Sequence, residues 1–226
     1  MILVVASMEV ELEGLFGLDK TPDHWEECEL TYTGIGQKNV EKTLSAMEFG
    51  SDVNGLLSVG FVGSIDPAIR PGDLCLIETV ASPDSLERFY SDKSFFSLAG
   101  EVLSGYRNCQ LVTLNSTASS SEEKKSFRSD DFSIIDRETY WVARKAKTED
   151  LPFLGLRTVI DGVDQGLPPE FVYDGDTGKV KPGRFTSWLI KNPSNLGSLP
   201  RLGWNSVKAR RRLATALNRV MPALLG

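Results

Sequence analysis

Apolar residues in this chain come in short runs that end on glycine, proline or an acidic side chain. Between those runs the apolar spacing lengthens to that of a helix. Ile2 to Ala6 predicts a buried strand leading into Ser7-Met8-Glu9-Val10-Glu11, where Ser7 is placed to cap a helix from Met8 to about Leu18. Glu9 and Glu11 then fall in the first turn, where the helix dipole favours carboxylates. Trp25 to Thr33 predicts a second strand, and Gly34-Ile35-Gly36 opens a helix carrying Val40, Leu44 and Met47 on one face. The stretch Leu56 to Ile77 predicts strand, glycine turn, strand. Leu56 to Val59 stops at Gly60 and Gly63, then at Asp66, Pro67, Pro71 and Gly72, before a second run from Leu74. Such bounded runs suit strands buried on both faces, in a parallel or mixed sheet covered by helices. An acidic loop and a helix with Phe95, Phe96 and Leu98 follow, then strands at Leu111 to Leu114, Phe132 to Ile135 and Phe153 to Ile160. Asn115 to Ser121 predicts a mobile polar loop, Glu122 to Phe127 a short helix, and Asp136-Arg137-Glu138 the start of a helix toward Lys145. Strands alternating with helices predict an α/β layer fold.

The last third has a different texture. Prolines and glycines recur from Leu167 to Pro200, Lys179 to Pro182 predicts a turn, and Trp188 to Ile190 a short helix docking on the body. A final helix, about Asn205 to Leu224, puts Leu213, Leu217, Val220 and Leu224 on one stripe. Its basic cluster, Lys208 and Arg210 to Arg212, reads as a solvated face.

Composition narrows the function. With 226 residues and 41% hydrophobic content the chain can bury a real core, and its length suits one domain over residues 1–226. A net charge of −6 supplies no global field for a nucleic-acid backbone. His24 is the one histidine, and Cys28, Cys75 and Cys109 are three and far apart, which argues against a metal site or a disulfide framework. That usage suits a reducing, cytoplasmic setting. The first apolar run has no basic flank and meets acidic residues at once, so it reads as a strand, not a signal peptide; no run reaches transmembrane length.

The available acid–base chemistry is carboxylate chemistry. Walker, nucleophile-elbow and metal-ligand spacings are missing from the sequence. Glu11, Glu138 and Asp161 each stand just past a predicted strand, where open α/β sheets hold ligands. Carboxylates suit a cationic transition state, such as cleavage at an anomeric carbon, with one group serving as acid or base. From the residues alone Glu9 and Glu11 also have a plain reading as N-terminal helix charges.

Several blocks in order resemble the nucleoside phosphorylase superfamily: Ala6 to Glu11, Thr33 to Gly36, Ser58 to Gly63 with Arg70 to Asp73, Ile135 to Glu138, and Leu156 to Asp161. Their spacing resembles its methylthioadenosine/S-adenosylhomocysteine nucleosidase branch. Gln165 to Pro169, Gly178 to Val180 and Leu199 to Leu202 resemble the hopanoid-associated phosphorylase subgroup, which is compatible with lipid-bearing substrates. The resemblance implies a mixed central sheet flanked by helices on both faces and cleavage of the N-glycosidic bond of a purine nucleoside or derivative. It further implies a homo-oligomer, no cofactor, and phosphate as a candidate co-substrate. By the same resemblance Glu11 activates the attacking water, Glu138 binds ribose hydroxyls, Asp161 protonates the purine at N7, and Arg157 and the Gly60–Gly63 segment lie beside the nucleophile. Departures from the pattern are Arg137 where a methionine usually lies under the ribose, Phe61 in place of a small residue, Ile160 in place of serine, Ser58 where hexameric phosphorylases carry an arginine, and no base-stacking aromatic from Ser116 to Ser121. Arg137 and the resemblance of the C-terminal third to the hopanoid-associated subgroup suggest phosphate as acceptor, and Glu11 suggests water. The alternative is a nucleoside-binding protein of the same fold without turnover.

Overall fold

A computed structural model of the chain describes residues 1–16, 27–129, 131–174, 177, 179–193 and 199–226. Its eight-stranded sheet is mixed. β1 (Ile2–Ala6) lies parallel between β2 (Cys28–Tyr32) and β3 (Gly55–Ser64). Beyond β3 come β7 (Ile134–Asp136), β6 (Tyr106–Thr113), β4 (Leu74–Ala81) and the edge strand β5 (Arg88–Tyr90). The strand β8 (Phe153–Asp161) pairs parallel with β3 and antiparallel with β4, so the ladder β3-β7-β6-β4-β8 returns to β3 and closes on itself.

Alternation of side chains along each strand divides the core into two layers. Leu3 and Val5 of β1 face one layer with Leu56, Ile77 and Leu111; α2 (Gln37–Ser45) contributes Val40 and Leu44, and α5 (Thr139–Thr148) contributes Tyr140, Val142 and Ala146. Ile2, Val4 and Ala6 face the other layer with Leu57, Leu76 and Leu156. There α1 (Glu9–Phe16) adds Leu12, α3 (Lys93–Val102) adds Ala99, and α7 (Leu199–Leu225) adds Leu213, Leu217, Val220 and Met221. The sheet thus carries helices on both faces. No helix among the described residues is long and apolar enough to cross a membrane.

Some elements differ from the expectation. The glycine turn after Val59 is a strand: β3 runs on to Ser64, and the turn lies between it and β4. Gly60 and Gly63 are glycines because carboxylates press on the strand there. A Cβ at Gly60, whose φ is +150°, would collide with Glu11 Oε1, and one at Gly63 would lie 3.1 Å from Asp161 Oδ2. The ladder with β8 shifts register at Val62/Gly63. β5 was not legible as a strand, being three residues long with an exposed face. The serine-rich loop ends in an ordered cap: Ser120 accepts from Glu123 N, and the Glu123 carboxylate accepts from Ser119 N and Ser120 N, closing a capping box on α4 (Ser121–Ser126). The C-terminal helix begins at Leu199, more than a turn before Asn205. α6 (Pro182–Lys191) buries none of its described residues fully. The expected helix end at Leu18, the strand start at Trp25, His24 and Gly178 lie outside the described residues.

Candidate active site

The strands β1, β3 and β8 run parallel, so their carboxyl ends share one edge of the sheet. β7 is antiparallel to β3 but pairs with it only through Ile134 and Ile135, so its last residue, Asp136, still lies by that edge. A cavity of about 670 Å³ opens there, lined by Glu11, Phe61, Arg137, Glu138, Lys124 and Asp161 among others. Its outer wall is apolar, made of Leu167, Tyr173 and Val180 with Phe185 of α6 and Leu199 and Leu202 of α7.

Glu11 is 3% exposed and fully engaged. Oε2 accepts hydrogen bonds from Ser7 N (2.9 Å), Ser7 Oγ (2.8 Å) and Met8 N (2.9 Å), and Oε1 accepts from Phe61 N (2.8 Å). Ser7 therefore does not cap α1 through its own oxygen, as the sequence suggested; its hydroxyl holds the carboxylate instead. Burial pushes the Glu11 pKa up, while the Phe61 amide and the Arg157 charge pull it back. A carboxyl with a raised pKa, held by donors on both oxygens, suits a general base.

Beneath Phe61 lies a second, smaller space of about 10 Å³, lined by Ser7, Glu11, Thr33, Ser58, Glu138 and Arg157. Arg157 forms its floor and is committed there: Nη2 donates to Ser58 Oγ and Thr139 Oγ1, both at 2.7 Å, and Nε reaches Asp136 Oδ2 at 3.4 Å. Asp136, not singled out from the sequence, is the hub of this buried network. Its Oδ1 accepts from Thr113 Oγ1 (2.6 Å) and its Oδ2 from Thr139 N (3.0 Å) and the Thr139 hydroxyl.

Glu138 spans the small space and the main cavity. Its Oε1 accepts from Gly36 N at 2.7 Å, so the Gly34-Ile35-Gly36 turn is tied to the site. Burial, then the Asp136 and Glu11 carboxylates, push its pKa up to about 8. The unfolded value is about 4.3. Between these two values the folded chain holds a proton that the unfolded chain has released, so stability falls as pH rises through the window. Burial of Lys124 acts with the opposite sign at higher pH, so the comparison is made between variants. Glu138→Gln is expected to remove this residue's share of the fall, leaving that of Glu11, whose pKa burial also raises: melting temperatures from pH 5 to pH 9 should show wild type losing ground to the variant. Parallel curves would contradict the raised pKa.

Asp161, the last residue of β8, is fully buried. Its Oδ2 forms an ion pair with Lys124 Nζ, and its Oδ1 is buried with no hydrogen-bond partner among the described residues. Lys124 also donates to Gly162 O (2.9 Å) and Gln165 O (2.7 Å). The sequence reading missed Lys124, because a single lysine within Glu122-Glu123-Lys124-Lys125 looks like one more charge on a solvated helix. Only the packing of α4 against the loop after β8 buries it.

The structure brings together every residue proposed from sequence: Glu11, Gly60, Phe61, Arg137, Glu138, Arg157 and Asp161. Arg157 is held under the small space and does not line the main cavity. Arg137 lies across Gly36, with Nη2 2.8 Å from where a Cβ would stand, and donates to Asn115 O at 2.9 Å. That lodging joins the Asn115 loop to the α2 turn. The Ser58 hydroxyl accepts from Arg157, so an arginine reaches this position from the neighbouring strand β8.

Solved structures match this arrangement over almost its whole length. The native futalosine hydrolase of Helicobacter pylori superposes with a TM-score of 0.72 at 17% identity, covering 98% of this chain and 97% of that one. The chain has the nucleosidase fold. The methylthioadenosine/S-adenosylhomocysteine nucleosidase of Helicobacter pylori matches with a TM-score of 0.71 at 15% identity, over 98% and 97% of the two chains. That of S. pneumoniae, solved with the transition-state inhibitor MT-ImmA, gives 0.68 at 19% identity over 99% of each. No family model and no curated protein matches the sequence. The nucleosidase fold is thus retained at identities of 15–19% in these three comparisons.

Proposed function

We propose that the protein hydrolyses the N-glycosidic bond of a purine nucleoside or nucleoside derivative. The observation that carries this reading is the space of about 10 Å³ beside Glu11, Glu138 and Arg157. A space of this order holds about one water molecule. Phosphate, with four oxygens around phosphorus, needs several times as much, and the Arg157 guanidinium that could receive it is already bonded to Asp136, Ser58 and Thr139. Water held there lies against a carboxyl suited to take its proton. Glu138 is set to accept from ribose hydroxyls, and Asp161 Oδ1 to meet a ring nitrogen of the base. As the C1′–N bond breaks, the carboxyl oxygens of Glu11 and Glu138 face the cationic sugar and Asp161 returns the base neutral. The apolar wall from α6 and α7 accommodates an apolar 5′ substituent, in keeping with the resemblance of the C-terminal third to the hopanoid-associated subgroup.

The test is chromatography of free base from adenosine, methylthioadenosine, S-adenosylhomocysteine, inosine and futalosine, each with and without phosphate. Release from at least one, indifferent to phosphate, is expected. Strict phosphate dependence would overturn the choice of water, and calorimetric binding without any release would make the protein a nucleoside-binding one. Glu11→Gln should lower the rate about 10²–10⁴-fold, the usual contribution of a general base. Its amide nitrogen would also face a donor at either oxygen position, so a loss of about 1–3 kcal/mol in stability should accompany it.

A further inference from the structure

Lys124 is the least expected charge in the molecule. It is fully buried on a six-residue helix, and a buried ammonium is tolerated only when every hydrogen finds an acceptor. Here they do: Asp161 Oδ2, Gly162 O and Gln165 O. The enclosure is built around it. Gln165 Oε1 accepts from Gly162 N at 2.9 Å and closes the loop after β8, and a Cβ at Gly166 would lie 2.7 Å from Ser119 O, so that loop sits directly on the start of α4. The pair lines the main cavity and leaves Asp161 Oδ1 as the unpartnered oxygen.

Resting on the reading of Asp161 as the acid, we propose that Lys124 is the source of the proton that Asp161 hands to the leaving base. A proton moves from Nζ to the carboxylate, turning ammonium and carboxylate into amine and carboxylic acid without changing the total charge of the pair. A turn of the carboxyl group about Cβ–Cγ presents the protonated oxygen to the base. As the C1′–N bond breaks, its electron pair passes into the base, the carboxylic acid protonates a ring nitrogen, and the base leaves neutral. The amine and carboxylate that remain regain one proton from water. Burial supports the first step by pushing the Lys124 pKa down to about 7.

The experiment compares wild type, Lys124→Met and Lys124→Arg on the best nucleoside and on 4-nitrophenyl β-D-riboside, whose phenolate leaves without being protonated. Lys124→Met should lower kcat on the nucleoside about 10²–10⁴-fold, the range of general acid catalysis, and lower the nitrophenyl rate far less. Lys124→Arg keeps a cation beside Asp161 but cannot give up its proton, and should show the same split. The nitrophenyl rate on the same sample reports that the site is intact. Equal losses on both substrates in both variants would assign Lys124 a purely structural role and overturn the proposal. So would a Lys124→Arg enzyme with wild-type kcat on the nucleoside. A wild type that cleaves neither substrate would defeat the hydrolase reading itself, and this inference with it.

Discussion

Replacing Arg157 with methionine should cost the fold about 3–5 kcal/mol, the usual penalty for breaking a buried ion pair by removing one partner. The guanidinium is 3% exposed and joins β8 to β3 through Ser58, to α5 through Thr139 and to β7 through Asp136. Methionine fills much of the volume but leaves the Asp136 carboxylate buried without a counter-charge. Urea unfolding should show a lower midpoint at unchanged slope. Adding Asp136→Asn should recover part of the loss, because the stranded charge then disappears. The single variant should also work more slowly, since Arg157 is one of the groups that restrains the rise in the Glu11 pKa. A midpoint shift worth less than about 1 kcal/mol would mean that the network does not hold the strand ends together.

Asp161→Asn is expected to cripple catalysis. Asparagine can still accept from Lys124, so the loop around Gly162 has its main contact, but no carboxyl proton is left for the base. If Asp161 is the acid, as proposed, turnover of a purine nucleoside should fall about 10²–10⁴-fold with KM little changed, because such a group acts as charge develops on the leaving base. A variant with full activity would remove Asp161 from the mechanism.

Much of this site was legible because parallel strands leave a mark in sequence. Each ends an apolar run, and whatever follows must sit at one edge of the sheet; Glu11, Glu138 and Asp161 were found that way. Gly60 and Gly63 were placed in a turn, since a glycine in a strand and one in a turn look alike until the approaching carboxylate is seen. Asp136 and Lys124 escaped for another reason. Their meaning lies in long-range partners, Arg157 for one and Asp161 for the other, and nothing local separates them from solvated charges. β5 was missed because a strand of three residues with an exposed face has too little alternation to register.

The position of β8 bears on how the chain folds. It enters between β3 and β4, two strands made far earlier, and pairs with both. Until residues 153–161 are in place those two strands present open edges, and the closing pairs lie about 80–100 residues apart in sequence. Pairing at such separation is slow, and open edges invite association with other chains. A nascent chain halted before Phe153 is therefore expected to aggregate more readily than the full chain, which sedimentation of the two translated side by side would check. The strand that ends this exposure is also the one that carries Asp161, so the cavity gains that carboxyl in the same step that seals the sheet.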